Sequence, residues 1–258
     1  MAVRVVTDSA SGLPADIVSE LEITVCDLHV MDGETTSGLS ALELAAAYGR
    51  QMERASDDGL VCIHLAKELS STWSAGVTAS GVFPPGQVRV VDSGSAGMAL
   101  GAAAMSAARL AADGADVDEC FEAAQDTLDR AKTWLYLDSL DDLRKSGRLS
   151  TGTALSTALL ATKPIMAVVD GKIELVGRTR TQTKAFIKLV DLIASEADGK
   201  AVFVALQHHH AADNADKLRD LLEGALPAGS SFMVLPLNEV LAVHTGPGAI
   251  GVTAVFSA

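Results

Sequence analysis

The chain predicts an α/β fold, a parallel sheet with helices on both faces followed by a smaller α+β unit with a mixed sheet. Two observations carry this reading. The first half repeats one phrase, a short apolar strand, a small polar turn and then a helix, which is how parallel sheets are built. The second half replaces that phrase with an Asp-Gly hairpin and strands alternating with helices.

The phrase is clearest at Leu60–Leu65, an apolar run with little alternation that reads as a strand buried on both faces. Ser70, Ser71 and Thr72 follow, and an apolar pattern of helical spacing resumes at Trp73. Hydroxyls between the C-terminal end of a strand and a helix start are where α/β sheets bind ligands. They offer donors beside unpaired N–H groups and a helix dipole, which suits a carboxylate or a phosphate. An ordinary N-cap role for Ser70 or Ser71 stays open at this point.

Before it, Val3–Val6 reads as a strand ending in Thr7-Asp8-Ser9, and Pro14 opens a helix over 15–21. A strand over 23–31 closes at Asp32-Gly33, and Thr35 to Ser40 reads as the cap of a helix over 41–55. After it come a strand at 88–91 ending in Asp92-Ser93, an alanine-rich helix over 97–112, an amphipathic helix over 117–131 and a strand at 133–137. Strand C-termini share one edge of such a sheet, so Asp8, Ser9, Thr36, Ser70 and Asp92 are expected to converge. The character changes at Leu140 to Ser150, which places the boundary between a domain at 1–149 and one at 150–258. Beyond it are a helix over 151–162, the hairpin 165–176 around Asp170-Gly171, helices over 179–197 and 214–223, strands at 201–207 and 231–237, a glycine-rich turn over 244–251 and a last strand at 252–256. A closed apolar tunnel between the domains is expected, lined partly by small residues of 97–112 and 153–162.

Composition narrows the function. The 258 residues are 48% apolar, enough for a large core, and the net charge of −13 disfavours nucleic acid and anionic membrane surfaces. The three cysteines are distant from one another and lack metal spacing, which suggests a reducing, cytoplasmic setting. No secretory signal or membrane-spanning run is read. His208-His209-His210 invites a metal reading, but consecutive strand residues face opposite sides. A Ser70–His244–Asp8 triad lacks the nucleophile-elbow pattern. Gly246, Gly248 and Gly251 match a dinucleotide loop in count alone. Arg178 and Arg180 form a basic patch on an acidic protein, either a solvated face or a docking point.

The motifs together resemble the DegV family of bacterial fatty-acid-binding proteins. Val6-Thr7-Asp8-Ser9, Thr36-Ser37-Gly38-Leu39-Ser40, Leu69-Ser70-Ser71-Thr72, Val91-Asp92-Ser93 with Met98 and Gly101, Lys145-Ser146-Gly147-Arg148-Leu149-Ser150, Lys163-Pro164-Ile165 and His244-Thr245-Gly246-Pro247-Gly248 run in order along the chain. Leu39 stands where the family has proline, Ser71 where it has glycine, and the stretch between Gly33 and Thr36 is short.

The resemblance implies a DegV-like two-domain fold with a long-chain fatty acid between the domains. It implies a carboxylate held by Thr36 and Ser70 with His244 and Ser9 nearby, Asp8, Arg148 and Thr245 at the pocket or its rim, and Arg178 and Arg180 as docking residues for a fatty acid kinase. It further implies a monomer without cofactor or metal, whose chemistry belongs to the kinase subunit. The rival is a phosphoryl-transfer enzyme using the same hydroxyls on a phosphate, with Asp8 and Asp92 as metal-binding carboxylates.

Overall fold

The computed structural model describes residues 3–55, 58–149 and 162–257. The expected helix over 151–162 and the pocket wall over 153–162 lie essentially outside these residues.

Three sheets organise the chain. The first is four-stranded, fully parallel and ordered β2-β1-β5-β6, from β1 (Arg4–Asp8), β2 (Thr24–Cys26), β5 (Leu60–His64) and β6 (Val88–Asp92). Every residue of β5 is buried, as its unbroken apolar run requires. Helices α2 (Ala41–Ala55), α3 (Thr72–Ser80), α4 (Met98–Ala112) and α5 (Val117–Asp129) pack on this sheet as the pairs α2–α3 and α4–α5, with the short α1 (Ala15–Glu20) following β1. The alanines of α4 are buried almost throughout. They let α4 approach β1, β5, α5 and the second sheet closely.

The second sheet is six-stranded and mixed, in the order β11-β10-β12-β7-β8-β9. Its strands are β7 (Ala131–Tyr136), β8 (Lys163–Val169), β9 (Lys172–Thr179), β10 (Val202–His208), β11 (Ser231–Pro236) and β12 (Ile250–Phe256). Only β10 and β11 pair parallel. Helices α7 (Gln182–Ala197) and α8 (Ala212–Ala225) cover one face, packing on Trp134, Tyr136, Val204, Leu206 and Val252. By the period of two, the opposite face carries Thr133, Leu135, Met166, Gln207 and Thr253. That face looks towards the first sheet. Two short helices, α6 (Asp141–Lys145) and α9 (Glu239–Thr245), close its end.

Three expectations are corrected. The strand at 131–136 belongs to the second sheet, between β12 and β8, so the chain enters that sheet well before the expected boundary at 149/150. The stretch 23–31 is two strands. Ser9 Oγ accepts the Leu28 N–H at 3.0 Å, Leu28 turns inward, and β3 (His29–Met31) then pairs with β4 (Thr35–Ser37) as a separate hairpin. Its Asp32-Gly33 turn has both residues at positive φ, the hairpin form. The cap of α2 is therefore Ser40, which exchanges bonds with Glu43 in a capping box. Finally, His244 and Thr245 sit in the last turn of α9, which Asn238 caps through Val240 N.

Gln207 on β10 joins the two sheets. Its Oε1 accepts the Met98 N–H at 2.9 Å, capping α4, and its Nε2 reaches the Gly12 carbonyl at 3.5 Å. Gly12 and Gly97, both at positive φ, leave the channel it threads, because a Cβ at either would collide with the amide. Gln207→Leu should orphan both backbone groups and destabilise the fold by about 1–3 kcal/mol. A urea unfolding midpoint that does not move would show that the tether contributes nothing.

Candidate functional site

Between the two sheets lies a cavity of about 400 Å3. This is towards the lower end of the roughly 300–1,000 Å3 usual for small-molecule sites. Its wall is mainly apolar, from Leu28, Leu65, Leu135, Leu143, Met166 and Ile173 among others. Its polar residues include a cluster brought from four places in the chain: Thr36 and Ser37 on the hairpin, Ser70 and Ser71 before α3, Arg148 after α6, and His244 and Thr245 on α9.

Each member is placed by local structure. The loop after β5 folds back as Leu69 N and Ser70 N bond the Ala66 carbonyl, which presents Ser70 at the start of α3. Thr72, fully buried, receives the Leu39 N–H on its Oγ1 at 3.3 Å and lies 2.9 Å from Ser70 Oγ. Either hydroxyl can donate across this contact, and when Thr72 donates the Ser70 proton is left to face the cavity. Ser70 Oγ also accepts the Thr72 N–H at 3.3 Å, so capping and ligand binding are compatible for this one oxygen. Gly38 passes so close that a Cβ there would stand about 3 Å from the hydroxyls of Ser70, Ser71 and Thr72. A side chain at 38 would force these hydroxyls to turn away or the hairpin to shift.

Opposite, Thr36 Oγ1 and His244 Nε2 are 2.7 Å apart and join the hairpin to α9. Burial, reinforced by the positive charge of Arg148, lowers His244 from 6.5 to about 4. The ring is therefore neutral near pH 7. Arg148, braced by its own Nη1–H to the Ser146 carbonyl at 2.7 Å, is the charged side chain of the cavity wall among the described residues. Hydroxyls, a neutral imidazole and one guanidinium make a mouth suited to a monoanion of carboxylate type.

Thr36, Ser70, His244, Arg148 and Thr245 thus come together. Asp8 and Ser9 do not join them. Ser9 Oγ is occupied by Leu28 N, and Asp8 is fully buried, accepting Ala10 N, Leu65 N and His64 Nδ1 at 2.9–3.1 Å. Both hold the first strand's turn and do not face the cavity. Asp92 pairs with Lys67 at 3.2 Å, away from the wall. The carboxylates that a phosphoryl-transfer reading needs are therefore not beside the hydroxyls. Of 97–112, only Gly97 reaches the wall, since α4 is spent on helix packing. Arg178 and Arg180 lie exposed at the end of edge strand β9, without an ion-pair partner among the described residues. Sequence reading missed Thr133, Gln207 and Thr253, which also line the cavity.

Fold and site define an α/β protein whose two facing sheets enclose an apolar chamber with a hydroxyl, histidine and arginine cluster. The chain belongs to the DegV family: residues 32–257 match the family described as "Uncharacterised protein, DegV family". It is 55% identical to a DegV domain-containing protein of Corynebacterium glutamicum, over 100% of this chain and 95% of that one. The crystal structure of a DegV family protein of that organism superposes with a TM-score of 0.97 at 54% identity, covering 100% and 99% of the two chains. A fatty-acid-binding DegV family protein of Thermus thermophilus matches with a TM-score of 0.91 at 26% identity, and a fatty acid binding DegV protein of Bacillus subtilis with 0.89 at 25%, each over the whole of both chains.

The lowered value of His244 fixes a pH dependence. Above its ordinary value of 6.5 neither folded nor unfolded chain carries the proton. Between 6.5 and about 4 the unfolded chain takes it and the folded ring does not, so stability falls with pH and levels off below about 4. His244→Gln should flatten the stability profile over that window. Identical profiles for the two proteins would contradict the placement of this ring in a desolvated wall.

Proposed function

We propose that this protein binds a long-chain fatty acid in the cavity between its sheets and presents it to a fatty acid kinase, without catalysing chemistry itself. The observation that carries the reading is one cavity that combines a long apolar wall with a cluster of hydroxyls, neutral histidine and arginine. Fatty acid binding by the Thermus and Bacillus relatives supports it.

In this reading Ser70 and Thr36 donate to the carboxylate, with His244 orienting Thr36. Arg148 offsets the charge from the rim. Asp8 and Ser9 serve by holding the strand turn beneath. The acyl chain runs along the inner face of the second sheet. Each buried CH2 contributes roughly 0.8 kcal/mol, so a sixteen-carbon chain gives about 10 kcal/mol gross. Head-group bonds add about 1.5–3 kcal/mol each. The tail therefore sets affinity and the hydroxyls set orientation. A monomeric state and a cytoplasmic location are part of this proposal.

Ser70→Ala should weaken fatty acid binding roughly ten- to hundredfold, the loss of one charge-assisted bond in a dry site. Titration and thermal unfolding on the same variant decide the matter. A lowered melting temperature with unchanged affinity would reduce Ser70 to a helix cap.

Arg178 and Arg180 are proposed as the docking point for the kinase, because they are exposed cations on a protein of net charge −13. Arg178→Glu or Arg180→Glu should leave fatty acid affinity intact and reduce acyl-phosphate formation with a kinase partner. Equal loss of both would place these residues in the binding site instead.

A further inference from the structure

The inner face of the second sheet carries a hydroxyl pair where an acyl chain would call for hydrocarbon. Thr253 on β12 and Thr133 on β7 are register partners. They are 2% and 9% exposed, their oxygens are 3.1 Å apart, and both residues line the cavity. Ser95 Oγ donates to Thr133 Oγ1 at 3.2 Å.

Counting protons along this chain exposes a surplus. Ser95 uses its proton on Thr133. If Thr133 then donates to Thr253, the Thr253 proton has no acceptor among the described residues. If Thr253 donates to Thr133, the Thr133 proton has none. Either way one buried O–H is left without a protein acceptor on a cavity wall. A buried donor in that state costs free energy unless an oxygen comes to it. The neighbouring polar residue, Gln207, turns its oxygen to Met98 N and bonds neither threonine.

We infer that the cavity is built for an acyl chain that carries an oxygen along its length, a hydroxy or oxo fatty acid, received by the Thr133–Thr253 pair. The inference rests on the fatty acid reading and specifies its ligand class. The carboxylate stays at the Thr36, Ser70 and His244 cluster, and the second oxygen accepts the free proton on the sheet. An unsubstituted chain binds the same cavity but leaves that proton unpaired.

The test uses the full-length protein and a positional series of monohydroxylated hexadecanoic acids, with unsubstituted hexadecanoic acid as reference, each measured by displacement of a fluorescent fatty acid. One positional isomer should bind about three- to tenfold tighter than its neighbours in the series, the worth of one buried hydrogen bond. The preference should vanish in Thr253→Val and in Thr133→Val and survive in Thr253→Ser. The preference is read in each variant as a ratio to hexadecanoic acid measured on that same variant. Thermal unfolding of each variant shows which are folded, and either valine variant suffices. A flat series in the wild type, or a preference that persists in a folded valine variant, would overturn the inference while leaving fatty acid binding in place. Failure of hexadecanoic acid and of every isomer to bind would overturn both.

Discussion

The Asp8 carboxylate, sealed at the end of β1, is the constraint on which the site depends. It accepts two backbone N–H groups, of Ala10 and Leu65, and the Nδ1–H of His64, and both Asp8 and His64 are fully buried. His64 in turn meets the Tyr48 hydroxyl through Nε2 at 2.7 Å, and Gly76 of α3 packs against both rings. Burial pushes the Tyr48 phenol upward, which keeps it protonated. The ends of β1 and β5 and the helices α2 and α3 are thus bolted to one buried group. Removing one partner from such a set strands a buried polar group, at a cost of about 1–3 kcal/mol or more. The loop that presents Ser70 leaves β5 from Leu65, one of the residues Asp8 holds.

From this anchor the two sheets divide the work. The turn after β5 of the parallel sheet presents Ser70 and Ser71 to the cavity, and a period-2 face of the mixed sheet supplies much of the hydrocarbon wall. Among the described residues few bonds connect them: Gln207 to Met98 and Gly12, Ser95 to Thr133, and Gly171 N to the Gly94 carbonyl, with Thr36 to His244 tying in the hairpin. A seam with this sparse polar stitching around an apolar chamber suits an occupant held by area, with orientation left to a handful of donors.

Much of this was legible in the residues, for identifiable reasons. The strand over 60–64 is buried on both faces, so its pattern survives any context, and the hydroxyls behind it mark the ligand edge. Other features depend on partners the sequence does not display. β7 reads as any half-buried strand, and nothing local says it pairs with β12. The alanines of α4 suit a lined tunnel or a tight helix interface equally well, and the structure uses them for the latter. Asp8 and Ser9 look like site residues because they sit at a strand's C-terminus, yet β1 is a central strand whose turn is buried. Thr133 and Thr253 were missed because a threonine alternating with apolar residues reads as a solvent face, whereas here that face looks into a cavity.

The most direct test of the central claim is native mass spectrometry of the freshly purified protein, followed by denaturation and extraction. The account predicts a retained mass that is released as a free fatty acid and is diminished in Ser70→Ala. Protein that is empty under conditions gentle enough to keep such ligands, or that carries a nucleotide or a phosphorylated small molecule, would contradict it.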